Sequence, residues 1–153
     1  MEIYQELARK AFNNFKAADH LTYMTLPLIK DNKLILTILE NINLALVNGM
    51  NSILEYERLY RRISPLPENF DLRLNIFRAV GRRYDVTEQE LNLIKDIKDM
   101  LNKHKSSPME FSRAGKFVIC NDNFKMKTIE IEELKQYLIL AKGFLRKVDR
   151  VIR

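Results

Sequence analysis

One cysteine, two histidines, four glycines, four prolines and no tryptophan are spread over 153 residues. Each shortage excludes something. Cys120 has no second cysteine to pair with, which removes an intramolecular disulfide and points to an intracellular, cytoplasmic setting. It sits in the apolar run Phe117-Val118-Ile119-Cys120, so it is expected to serve as a small buried hydrophobe. Scarce glycine and proline leave little material for a loop-rich or all-β fold. His20 and His104 are far apart, and neither belongs to a Glu-x-x-His pair, so a zinc or di-iron centre lacks ligands and no metal or cofactor is expected. Glycine-rich phosphate loops are missing, which removes the common nucleotide-driven chemistries. Met1-Glu2-Ile3-Tyr4 is acidic, without the basic and apolar regions of a signal peptide, and no uninterrupted apolar run approaches membrane length, so no membrane partner is expected.

What is present suits one globular domain over residues 1–153. Hydrophobic residues make up 46% and charged residues 30%. The formal net charge is +6, which favours anionic partners: RNA, another nucleic acid, or an acidic protein face.

Apolar spacing predicts a mainly all-α fold, an up-and-down bundle of about five helices. Ile3, Leu7, Ala11, Phe15 and Ala18 mark a first helix, with a kink or an end expected near Leu26 because Pro27 lacks a donor. Asp31 or Asn32 can cap a long second helix over about 33–63, whose seam runs Ile35, Leu39, Ile42, Leu46, Gly49, Ile53, Tyr56, Tyr60 and Ile63. After Pro65 and Pro67, Phe70, Leu74, Phe77 and Val80 give a third helix. Thr87-Glu88-Gln89-Glu90 has capping-box spacing and opens a fourth, to about Lys103. Thr128 is expected to cap the last helix, with Ile131, Leu134, Leu138, Ala141, Leu145, Val148 and Ile152 as its seam. Between them, 116–120 and 124–128 are partly β-branched and flank Asn121-Asp122-Asn123, which predicts a small β-hairpin insertion near 116–128.

Three basic groups stand out. Lys103, His104, Lys105, Ser106, Ser107, Arg113 and Lys116 place cationic and hydroxyl donors in the irregular stretch before the last helix. Such donors suit phosphate, and the imidazole of His104 could act as an acid or base on an RNA ribose or phosphate. The competing role for Lys103 to Lys105 is to satisfy carbonyls at a helix C-terminus. Arg58, Arg61, Arg62, Arg78, Arg82 and Arg83 form a second group, interleaved with Tyr56, Tyr60 and Tyr84. Arginine beside aromatics suits RNA, and the competing role is pairing with Glu55, Glu57, Glu68 and Asp71. Lys142, Arg146, Lys147, Arg150 and Arg153, opposed by Asp149, form the third.

The segment from Ala8-Arg9-Lys10-Ala11 through Leu54-Glu55-Tyr56-Glu57 resembles HEPN-type helical bundles. The resemblance covers about the first half of the chain and rests on pattern. It implies a small α-bundle that dimerises and is either an RNase with an Arg-x4–6-His motif or a non-catalytic RNA-associated module. No arginine stands at that spacing before His20 or His104, which implies a non-catalytic member or an altered site. The leading expectation is therefore a binding protein for RNA or a ribonucleoprotein surface. A metal-independent ribonuclease using His104 and a structural homodimer are the alternatives, the latter motivated by Leu34, Ile38, Phe144 and Val151 outside the main seams.

Overall fold

A computed structural model describes residues 1–29, 31–106, 110–113, 116–120 and 126–153, with the side chains of residue 32 and of 105–128 outside the description. The fold is mainly all-α. Five helices longer than one turn are α1 (Ile3–His20), α3 (Asn32–Leu59), α4 (Phe70–Gly81), α5 (Glu88–Ser106) and α6 (Ile131–Ile152), with the single turn α2 (Leu26–Ile29) after α1.

Local chemistry sets the boundaries. Pro27 does not stop the first helix at Leu26. A π-turn over Leu21–Thr25 widens the helix just before it, and the chain stays helical to Ile29. Asp31 caps α3 by accepting from Lys33 N at 2.9 Å. The box at the start of α5 is closed on both sides, Glu90 N to Thr87 Oγ1 at 3.1 Å and Thr87 N to Glu90 Oε1 at 2.9 Å. The N-cap of α6 is Glu130, not the expected Thr128.

Helix α3 ends at Leu59, short of the expected Ile63. Arg61 adopts a left-handed conformation (φ 58°), and Arg62 N bonds Glu57 O at 3.0 Å. That pairing closes a helix in the Schellman manner, with arginine where glycine is usual. A second closure of the same kind follows α4, where Asp85 has φ 62° and Val86 N bonds Gly81 O at 3.0 Å. Tyr60 and Ile63 consequently leave the seam, and Tyr60 is exposed.

The core forms around α3. Ile35, Ile38, Leu39, Ile42, Ala45, Leu46, Ile53 and Leu54 are all fully or almost fully buried. By length and composition this helix is apolar enough to cross a membrane, although polar residues such as Glu40, Asn43 and Asn48 interrupt its apolar run, and half of its most apolar stretch is buried inside the chain. Gly49 lets α6 approach closely: a Cβ there would lie 3.0 Å from Phe144 Cε2 and 3.1 Å from Leu145 Cδ2.

Strict up-and-down order is broken. Arg73 on α4 meets Asn51, and Tyr84 just past its end meets Glu57. The connection through Pro65 and Pro67 therefore carries the chain back before α4 begins, so α4 and α3 run in the same sense. Helix α6 also runs with α3, since Gly49 faces Phe144 and Leu145 while Tyr56 shares a recess with Arg150 and Val151. The C-terminal ends of α3, α4 and α6 thus gather at one end of the bundle.

In place of the expected two-stranded hairpin, the backbone between α5 and α6 forms three short strands, β1 (Glu110–Arg113), β2 (Lys116–Cys120) and β3 (Met126–Ile129). They pair antiparallel in that order, with Arg113 opposite Lys116 and Cys120 opposite Met126. The Phe117-Val118-Ile119 run offers β-favouring backbone on both edges, and a third strand steadies what a lone hairpin holds poorly. Strand β2 lies beside α3 and α5. The Asn121-Asp122-Asn123 turn and Phe124 lie outside the described residues.

Candidate anion-binding site

The gathered helix ends carry most of the basic residues singled out in the sequence. Glu57, in the last turn of α3, is wholly buried. It accepts a hydrogen bond from the Tyr84 hydroxyl, and faces Arg62 Nη1 at 3.6 Å and Arg83 Nη1 at 3.5 Å. Burial pushes the Tyr84 phenol up to about 12, helped by its bond to the Glu57 carboxylate. Arg62 also stacks on two rings, its Cζ 5.7 Å from the Tyr56 centroid and 5.5 Å from that of Tyr60. Burial pulls its guanidinium down, but Glu57 together with Tyr56 and Tyr84 outweighs that, so the net direction is up.

The arginines of the second group therefore divide. Arg58 pairs with Glu55 at 2.8 Å and Arg78 with Glu88 at 3.3 Å, alongside the Glu57 pairs, so the structural role applies to them. Arg61 and Arg82 have no ion pair among the described residues. Lys147, from the third group, is held tightly: its ammonium donates to Glu90 Oε1 at 2.6 Å and to the Asp85 carbonyl at 2.7 Å.

The second and third groups meet. A recess of about 240 Å³ is lined by Tyr56, Arg83, Tyr84, Asp85, Lys147, Arg150 and Val151. Arg150 also belongs to a larger groove of about 830 Å³ between α1 and the last turns of α6. Arg9, Lys16, Arg146, Arg150 and Arg153 line that groove against a single carboxylate, Asp149, and Ala8, Phe12 and Ile152 give it an apolar floor. Asp149 is bound to Arg153 at 2.9 Å, and Arg9 reaches Glu6 only at 3.8 Å. Lys16, Arg146 and Arg150 have no ion pair among the described residues. Part of this positive charge offsets the partial negative ends of three helix dipoles. The groove exceeds that need, because Arg9 and Lys16 come from α1, which ends elsewhere.

The first basic group lies apart. His104 is half-buried in a recess of about 230 Å³ with Glu40, Asn43, Leu44, Lys98, Leu101 and Asn102. Leu44 and Glu57 are separated by a rise of roughly 20 Å along α3, so this recess and the Glu57 cluster occupy different levels of the bundle. Lys103 is exposed beside His104. Lys105 and Ser106 fall in the final turn of α5, and Arg113 and Lys116 close the β1–β2 pair; their side chains, and Ser107 entirely, are outside the description. No three His, Cys, Asp or Glu side chains converge among the described residues.

Sequence reasoning did not find Arg9 and Lys16. They read as ordinary polar positions on an amphipathic helix, and only the antiparallel placement of α1 beside α6 brings them to Arg146 and Arg150. No family model, curated protein or solved structure matches this chain.

Proposed function

We propose that this protein is a non-catalytic RNA-binding module that holds a single strand in the α1–α6 groove. The observation that carries the reading is the groove itself: five cationic side chains face one already-paired carboxylate above an apolar floor. The cations suit the phosphate backbone, the Phe12 ring and Ile152 suit a base face, and Gln5 and Asn13 offer amides to base edges. The resemblance to HEPN-type bundles fits this reading only as a non-catalytic member.

The test is photocrosslinking of a short single-stranded RNA at low salt, with the attachment sites mapped by mass spectrometry. Crosslinks within 5–16 and 146–153 are expected. Crosslinks confined to 103–116 would move binding to the basic loop and refute the groove. No crosslink, together with binding to polyglutamate, would replace RNA with an acidic protein partner.

The ribonuclease alternative would place its chemistry at His104, away from the groove cations. The homodimer alternative loses three of its four motivating residues, since Ile38, Phe144 and Val151 are buried in the chain's own core.

A further inference from the structure

The recess beside Glu57 differs in kind from the groove it joins. It is small, about 240 Å³, and one of its cations, Lys147, is held by two hydrogen bonds to the protein. Lys147 has two of its three N–H groups committed, to Glu90 Oε1 at 2.6 Å and the Asp85 carbonyl at 2.7 Å, which fixes the ammonium and leaves one donor. Arg83 is drawn to Glu57 Oε2 through one nitrogen, Nη1, at 3.5 Å, and its remaining donors are uncommitted among the described residues. Arg150 brings a guanidinium with no ion pair among the described residues, shared with the groove. The one carboxylate in the lining is Asp85. Glu57 and Glu90 stand behind the lining and already pair with Arg83 and Lys147, so Arg150 is the lining cation without an ion pair among the described residues.

An internal phosphodiester carries one negative charge and continues in both directions. A terminal phosphate monoester carries nearly two near neutral pH, presents three acceptor oxygens, and ends the strand. Uncommitted donors on three cations, Lys147, Arg83 and Arg150, can meet the three acceptor oxygens, and the limited volume matches the monoester. We propose that this recess is a subsite for the terminal phosphate monoester of the RNA strand whose body lies in the groove. The subsite rests on the RNA-binding reading above, and it makes the protein a reader of strand ends.

The test compares one 12-nucleotide single-stranded RNA in three forms, with a 5′-phosphate, a 3′-phosphate, or hydroxyls at both ends, by fluorescence polarisation. One phosphorylated form is expected to bind about tenfold more tightly than the hydroxyl form, as befits charge-assisted hydrogen bonds. Which form gains sets the strand direction. Arg83→Gln, at an exposed side chain, is expected to collapse that ratio towards one, and inorganic phosphate at millimolar concentration to narrow it. Equal binding of all three forms overturns the subsite and leaves RNA binding intact. A preference that survives unchanged in both Arg83→Gln and Arg150→Gln overturns the assignment of the recess. Absence of binding to every form at low salt overturns the RNA reading and the subsite with it.

Discussion

Replacing Gly49 with alanine is expected to destabilise the bundle by about 1 kcal/mol, although alanine is the better helix former. The intrinsic gain from glycine to alanine inside a helix is roughly 1 kcal/mol. Against it stands the new Cβ, which would sit 3.0 Å from Phe144 Cε2, 3.1 Å from Leu145 Cδ2 and 3.4 Å from Val148 Cγ2. All three neighbours are buried on α6 and have little room to retreat. Forcing an extra carbon into a filled core costs about 1–3 kcal/mol, so the midpoint of about 2 kcal/mol exceeds the gain. Gly143 supplies the control. It lies in the middle of α6, and a Cβ there meets nothing nearer than Glu90 Oε2 at 3.9 Å, an ordinary contact. Gly143→Ala should therefore stabilise by up to about 1 kcal/mol. Urea denaturation followed by circular dichroism measures both. With a slope near 2 kcal/mol per molar, the midpoint should fall by about 0.5 M in Gly49→Ala and rise in Gly143→Ala, with the slope unchanged. If both variants are stabilised alike, α3 and α6 do not approach as described. The groove would then lose the α6 placement that forms its second wall.

Two further outcomes follow from the same end of the molecule. Lys147→Met keeps the aliphatic stem but strands the Glu90 carboxylate, which among the described residues then retains Thr87 N at 2.9 Å and Thr87 Oγ1 at 3.2 Å. Breaking a buried pair costs about 3–5 kcal/mol when nothing compensates, so a loss of about 2–3 kcal/mol is expected, partly recovered by adding Glu90→Gln; a loss below about 0.5 kcal/mol would show that the pair is not held as drawn. Burial and a carboxylate neighbour raise both Tyr84 and Tyr137 to about 12, from an ordinary value of 10.0. A raised folded-state value means stability is fully present below pH 10 and is lost as pH climbs through about 12. Tyr4 is also raised, so titration at 295 nm should show delayed phenols, of which the components near pH 12 are removed by Tyr84→Phe and by Tyr137→Phe. Ionisation of all six tyrosines near pH 10 would contradict the Tyr84–Glu57 and Tyr137–Glu133 contacts.

The helices were legible because burial follows apolar spacing. The α3 seam from Ile35 to Ile53 and the α6 seam from Leu134 to Val148 are buried as their periodicity required. Caps with local chemistry were legible too, at Asp31 and in the Thr87–Glu90 box. Failures came where a distant or conformational fact decided. The left-handed Arg61 ended α3 early, and nothing in an Arg-Arg pair announces a positive φ. The π-turn before Pro27 let the helix continue, because widening the preceding turn accommodates a residue that cannot donate. Strand β1 was missed because Glu110-Phe111-Ser112-Arg113 carries only one strongly β-favouring residue and follows a polar stretch, although it pairs with β2 next to it in the chain. For the site, the second and third basic groups were visible as clusters, but their meeting depends on α4 running with α3, set by a loop whose path sequence does not state. Arg9 and Lys16 carried no local signal, since a helical cation reads the same over solvent as over a groove.

The groove makes the most direct demand on experiment. Lys16, Arg146 and Arg150 are its cations without an ion pair among the described residues, and Arg9 reaches Glu6 only at 3.8 Å, which leaves four cations for phosphate. Four phosphate contacts to a single strand correspond to a slope of about −3 in the logarithm of affinity against the logarithm of salt concentration, or roughly a fifty-fold loss between 50 and 200 mM. Titrating a labelled single-stranded RNA against salt should give that slope for the native protein and about −1.4 for Arg146→Gln/Arg150→Gln. No binding at 50 mM salt, or a slope that the double variant leaves unchanged, would contradict the groove as the RNA site.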